Sequence, residues 1–130
     1  MITNIDEIFP LDKQGYCYYD YQSIVEAFGK VIIQKDDDGY QGDTYVVYQF
    51  EDGKYGVLIF GWGSCSGCDA LQACWDNRDE IQDLIYTLYN SIIYSDSLEE
   101  LKEWGESENR KYDYNWNMAG EFYKAIKEYE

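Results

Sequence analysis

The spacing of apolar residues along this chain changes period several times, and each change marks an element. Between Asp20 and Phe28, the side chains of Ile24, Val25 and Phe28 fall on one helical face, with Gly29 placed to end that helix in the left-handed conformation. Lys30 to Lys35 is short and β-branched, a strand. Asp43 to Glu51, rich in Val and Tyr, is a second strand, and Lys54 to Trp62 is a third. On the third, Tyr55, Val57 and Ile59 share one face while Leu58, Phe60 and Trp62 share the other. Two apolar faces predict a central strand covered by helices on at least one side. Asp52-Gly53 joins the second and third strands, a hairpin signal in which both central positions favour positive φ.

Helical spacing returns downstream. Asp69 is placed to cap a short helix running through Trp75. Asn77 and Glu80 form a capping-box pattern ahead of a longer helix whose stripe is Ile81, Leu84, Ile85, Leu88 and Ile92. Ser97 and Glu100 make a second box, followed by inward-facing Leu98, Leu101 and Trp104, with Gly105 as the stop. Glu106 to Asp113 is polar and predicts a linker. Ala119, Phe122, Tyr123, Ile126 and Tyr129 give a last amphipathic helix. Near the start, Ile5, Ile8, Phe9 and Leu11 are the anchors for a short turn or helix that Pro10 breaks. This order predicts one α+β domain over residues 1–130, a three-stranded antiparallel meander packed by four to five helices.

Composition alters the picture twice. Leu, Ile, Val and Phe supply only 29 of 130 residues, while there are fifteen Tyr and four Trp. Each aromatic can bury on the order of 150–250 Å², so the expected core is folded but rimmed by hydroxyls. The second change is electrostatic: 26 acids against 10 bases give a net charge of −16. That sign argues strongly against bare nucleic acid as a ligand, because phosphate binding needs Lys and Arg, and it disfavours anionic membranes. It attracts basic protein surfaces or divalent cations. No stretch approaches the ~18–20 apolar residues of a membrane span, and no basic segment followed by an apolar run opens the chain. The expected location is a cytoplasm, where cysteines stay reduced.

Candidate chemistry centres on Gly61 to Cys74, which holds Cys65, Cys68 and Cys74. A C-x-x-C in a strand-to-helix loop would gain acidity from helix N-terminal amides, as thioredoxin-type sites do. Against that, the preceding strands form a hairpin instead of a parallel unit, and Pro10 is remote. Cys17, Cys65, Cys68 and Cys74 also suffice for a four-sulfur zinc site, although only Cys65 and Cys68 have knuckle spacing. The simpler reading makes Cys17 and Cys74 small buried side chains. The Asp36 to Asp43 turn is not an EF-hand: with Gly39 at its sixth position, Gln34 and Tyr45 occupy the first and twelfth, where acids are needed. The chain has no histidine, which removes every Ser–His and Cys–His arrangement, and it lacks a glycine loop followed by Lys for phosphate. A non-enzyme without a cofactor is expected.

The acids gather in three stretches: Asp36, Asp37, Asp38 and Asp43; Asp76, Asp79, Glu80 and Asp83; and Asp96 to Glu108, where Lys102 is the lone base. Carboxylates spaced along rigid helices imitate nucleic-acid phosphates, and interleaved Tyr and Trp add anchors. The alternative is an ordinary solvated helix face.

Three segments, Tyr40-Gln41-Gly42-Asp43, Lys54-Tyr55-Gly56-Val57-Leu58 and Gly61 through Cys74, resemble a set of small bacteriophage and prophage proteins that carry a similar GSCSGCDALQA loop after a hairpin. The resemblance covers the middle half of the chain and implies a source, not a mechanism. By analogy, small acidic phage proteins often block host defence nucleases, as anti-CRISPR and anti-restriction proteins do. The expectation is therefore a nucleic-acid-mimicking inhibitor acting in a bacterial host cytoplasm. Asp79, Glu80, Asp83, Asp96, Glu99, Glu100, Glu103 and Glu106 would engage the basic surface of a nucleic-acid-binding host protein such as a nuclease. The competing reading is a zinc-binding or thiol-active module built on Cys17, Cys65, Cys68 and Cys74.

Overall fold

A computed structural model describes residues 2–10, 20–64, 67, 69–75, 77–112 and 118–130. Its frame is a four-stranded antiparallel sheet in the order β1 (Lys30–Asp36), β2 (Gly42–Gln49), β3 (Tyr55–Trp62), β4 (Ile93–Ser95). Among the described residues there are six helices: α1 (Ile5–Ile8), α2 (Tyr21–Ala27), α3 (Ala70–Cys74), α4 (Arg78–Asn90), α5 (Leu98–Tyr112) and α6 (Met118–Glu128). The α+β class agrees with the sequence. The three-stranded meander and the four to five helices are corrected to four strands and six helices.

Both faces of the sheet are buried, as the two apolar faces of β3 require. On one face Val46, Tyr48, Leu58 and Phe60 pack against Ile5, Ile24, Val25, Phe28, Leu71, Ile81, Ile85 and Leu88 of α1 to α4 and the residues flanking them. On the other, Ile33, Tyr45, Val47 and Val57 meet Leu101 of α5 and Ala119, Phe122, Tyr123 and Ile126 of α6. A bulge at Ile32 shifts the β1–β2 register, so that Val31 pairs with Tyr48 and Ile33 with Val47. Both Ile32 and Ile33 then belong to the second cluster, which widens the floor under α6. Tyr48 is fully buried, not on a wet rim, because its hydroxyl donates to the Val25 carbonyl at 2.7 Å.

Several boundaries differ from the sequence reading. The α2 helix ends on Phe28 in a right-handed conformation, and Gly29 is not left-handed; a Cβ there would lie 2.8 Å from the Phe50 ring. At the β2–β3 hairpin only Gly53 has positive φ (80°). Phe50 N donates to Lys54 O, and Gly53 N to Phe50 O, so the loop has three residues instead of two. Ile92 is buried but lies beyond the end of α4 at Asn90. Gly105 does not stop α5, which continues to Tyr112 through most of the expected linker; Asp113 lies outside the described residues. Gly105 is instead buried inside the helix against Ile126 of α6, where a Cβ would find ordinary contact at 3.4 Å.

Candidate functional site

The loop after β3 is closed at its base by one buried carboxylate. Asp69 is 5% exposed and caps α3. Its Oδ1 accepts from Gln72 N at 2.9 Å and from the Tyr21 hydroxyl at 3.1 Å, and its Oδ2 accepts from Gly63 N at 2.8 Å. Tyr21 Oη in turn accepts from Leu71 N at 3.0 Å, and Gln72 Nε2 donates to Gly63 O at 2.8 Å. Burial, with a smaller contribution from the Asp69 charge, pushes the Tyr21 hydroxyl well above the ordinary tyrosine range, while the Leu71 amide opposes the shift. The phenol therefore stays a donor to Asp69. Asp69 was legible as a cap, but Tyr21 is 48 residues away and carries no local signal of its role.

Cys17, Cys65, Cys68 and Asp76 lie outside the described residues. Cys74 is buried in the first core cluster, with its thiol donating to Ala70 O at 3.3 Å. Among the described residues no group of three or more His, Cys, Asp or Glu is placed to hold a metal ion. Trp75 follows with φ 50°, the sole non-glycine with positive φ among the described residues, and leaves its ring largely exposed.

The predicted acidic residues are all on the surface, but the fold separates them. Asp79, Glu80 and Asp83 project from the first half of α4, which packs on the first face of the sheet. Asp96, Glu99, Glu100, Glu103 and Glu106 stand before and along α5, which packs on the second. Each of these five acids is exposed, and within this group the roles differ. Glu100 is a capping residue: its N–H donates to Ser97 Oγ at 3.1 Å and its Oε2 accepts from Asp96 N at 2.8 Å. Asp96 and Glu106 have distant cation partners, Lys54 and Lys127, each at 3.9 Å and exposed. Glu99 and Glu103 have no ion pair among the described residues. Asp36, Asp37 and Asp43 are occupied near the β1–β2 turn. Asp36 Oδ1 accepts from Thr44 Oγ1, and Asp37 Oδ2 accepts from Asp43 N.

A contact that sequence reasoning missed fixes the N-terminal segment to α4. Arg78 donates to Phe9 O at 2.7 Å and to Asp6 Oδ1 at 3.0 Å. Gln82 accepts from Ile5 N at 2.8 Å and donates to Thr3 O at 2.7 Å. Arg78 is thereby spent on structure and offsets little of the α4 field.

These features define an acidic α+β protein with an antiparallel sheet sandwiched between helices, and no helix among the described residues is long and apolar enough to cross a membrane. No protein-family model matches the chain, and neither a curated protein nor a solved structure matches it.

Proposed function

We propose that this protein is a non-enzymatic binding protein of phage type. In this reading the outer stripe of α5 occupies a cationic, nucleic-acid-binding surface of a bacterial host defence protein. The observation that carries it is the row Glu99, Glu103 and Glu106. These residues sit at i, i+4 and i+7, about 6 and 10 Å apart along the helix axis, exposed and backed by a helix whose Leu101 is fully buried. A rigid helix presents those charges without a backbone ordering cost, which favours charge complementarity with an Arg/Lys groove.

The test is capture from a bacterial lysate at low salt. Wild type is compared with a variant carrying Glu99→Gln, Glu103→Gln and Glu106→Gln, and with one carrying Asp79→Asn, Glu80→Gln and Asp83→Asn. The expected result is retention of a nucleic-acid-binding protein that DNA or RNA displaces, that weakens steeply with salt, and that the α5 variant loses while the α4 variant keeps it. Retention unaffected by salt and by the α5 substitutions would overturn the reading.

A further inference from the structure

The sheet has a gap in one edge. The Phe50 N to Lys54 O hydrogen bond sets the alternation of the β2–β3 ladder, so Gly56, Leu58, Phe60 and Trp62 bond to β2. Tyr55, Val57, Ile59 and Gly61 direct their N–H and C=O groups to the other side. There β4 pairs with residues 55 to 57, from Tyr55↔Ser95 to Val57↔Ile93, and goes no further. Among the described residues nothing bonds to the backbone of Ile59 or Gly61 on that side. Both residues are exposed, so this is a two-residue open ladder in line with β4.

Its side chains are not those of a protected edge. Ile59 is 37% exposed and Ile93, on the same face one pairing along, is 45% exposed. No Lys or Pro guards the stretch. Opposite Gly61 on β2 stands Asp43, whose Oδ1 would be 3.3 Å from a Cβ at Gly61 and is among only two described neighbours there. The carboxylate thus leans over a residue with no side chain, toward the gap. Asp43 is already held above the usual carboxylate range by burial and by the charge of Asp37, with the Tyr45 hydroxyl opposing the shift. An incoming cation would offset the repulsion from Asp37.

We infer that the Ile59–Gly61 edge is a strand-addition site for an extended segment of a cationic partner protein. The segment runs antiparallel to β3 and has the pattern Lys/Arg-x-apolar, with the cation across from Gly61 beside Asp43 and the apolar side chain across from Ile59 next to Ile93. Backbone pairing supplies the strand conformation, and the period of two puts both side chains on one face. The inference rests on the reading above only for the positive charge of the partner, since it uses none of the α5 acids.

The probe is a dye-labelled peptide, acetyl-Thr-Ser-Thr-Lys-Thr-Ile-amide, which ends across from Ile59 and so stops short of Ile93, followed by anisotropy and by amide hydrogen exchange of the full chain. Saturable binding that slows exchange at Ile59 and Gly61 is expected. A peptide with Glu in place of Lys should bind more weakly, and Asp43→Asn should weaken the Lys peptide by about two- to five-fold. Ile59→Lys sits on an exposed side chain, so it leaves the fold intact and should cost about ten-fold or more. Absence of saturable binding, or binding that leaves both amides unprotected, would overturn the inference. So would protection that grows with protein concentration without peptide, because the edge would then belong to a second copy. The triple-glutamine α5 variant should bind the peptide normally, so the strand site and the α5 reading fail separately.

Discussion

Replacing Asp69 with Ala tests how much of the loop depends on one side chain. The change removes the N-cap of α3, worth about 1 kcal/mol. It also leaves the Gly63 amide, 2.8 Å from Asp69 Oδ2, without its acceptor; an unmet buried donor costs about 1–3 kcal/mol. The Tyr21 hydroxyl loses its acceptor too, but Tyr21 is only partly buried, so water recovers most of that contact and less than about 1 kcal/mol is charged to it. The expected total is about 2–5 kcal/mol, a large part of the ~5–15 kcal/mol that holds an ordinary domain together. With a urea dependence of about 1–3 kcal/mol per molar, the unfolding midpoint should fall by about 2 M.

Two companions sharpen this. Asp69→Asn keeps one carbonyl oxygen for Gln72 N but turns an amide donor toward the Gly63 N–H, so its cost should lie between wild type and Ala. A double-mutant cycle with Tyr21→Phe should return a coupling of about 0.5–1 kcal/mol, because the two side chains share a hydrogen bond. An Asp69→Ala midpoint within about 0.5 M of wild type would refute the assignment of Asp69 as the closure of the loop.

Three further outcomes follow from particular contacts. Gly105→Ala should stabilise the protein by about 0.5–1 kcal/mol in a thermal or urea melt, because Gly105 is helical and its Cβ would meet Ile126 at an ordinary 3.4 Å; a left-handed helix stop would give the opposite sign. Tyr48 and Tyr21 have hydroxyls that burial drives above the tyrosine range, so above about pH 10 the unfolded chain loses these protons first and stability falls with rising pH. Tyr48→Phe should flatten that alkaline slope in a pH series of melts, at a cost of about 1 kcal/mol near pH 7 for the lost bond to Val25 O. Asp43 binds its proton more tightly folded than unfolded, so its ionisation opposes folding; Asp43→Asn should be more stable than wild type at pH 7, by a margin that shrinks as pH falls through the carboxylate range.

The parts of the fold that were legible are those whose signal is local. β3 announced itself through apolar residues on both faces, and the buried stripe of α6 matches its sequence periodicity. β4 was invisible because three residues show no period, and two of them, Ile93 and Tyr94, remain exposed. Only pairing with Tyr55 to Val57 makes the segment a strand. Glycine propensity is a local argument and does not decide Gly105, which lies inside α5, buried against Ile126 of α6. The same holds at the loop: Asp69 as a cap is a property of its neighbours in sequence, but Asp69 as partner of Tyr21 and Gly63 depends on α2 arriving beside β3. The exposure of the acids was predictable from charge alone. Their division between two faces was not, since it follows from which side of the sheet each helix covers.

That division bears on which acids act on a partner. A sheet layer separates α4 from α5, a distance beyond the ~8 Å Debye length at physiological salt, so the two groups act as independent fields. Within α5, helix physics accounts for some charges: Asp96, Glu99 and Glu100 lie at the N-terminal end, where anions favour the dipole, and Glu106 has Lys127 at 3.9 Å. Glu103 has neither benefit. It lies past the first turn, has no ion pair among the described residues, and stands four residues from Glu99, a like-charge spacing that destabilises a helix by about 0.2–0.5 kcal/mol. Glu103→Gln should therefore raise the unfolding midpoint slightly while, on the proposed function, weakening retention of a basic partner, two effects of opposite sign from one substitution. If the substitution lowers stability instead, Glu103 serves the fold and the α5 stripe loses its central charge as a recognition element.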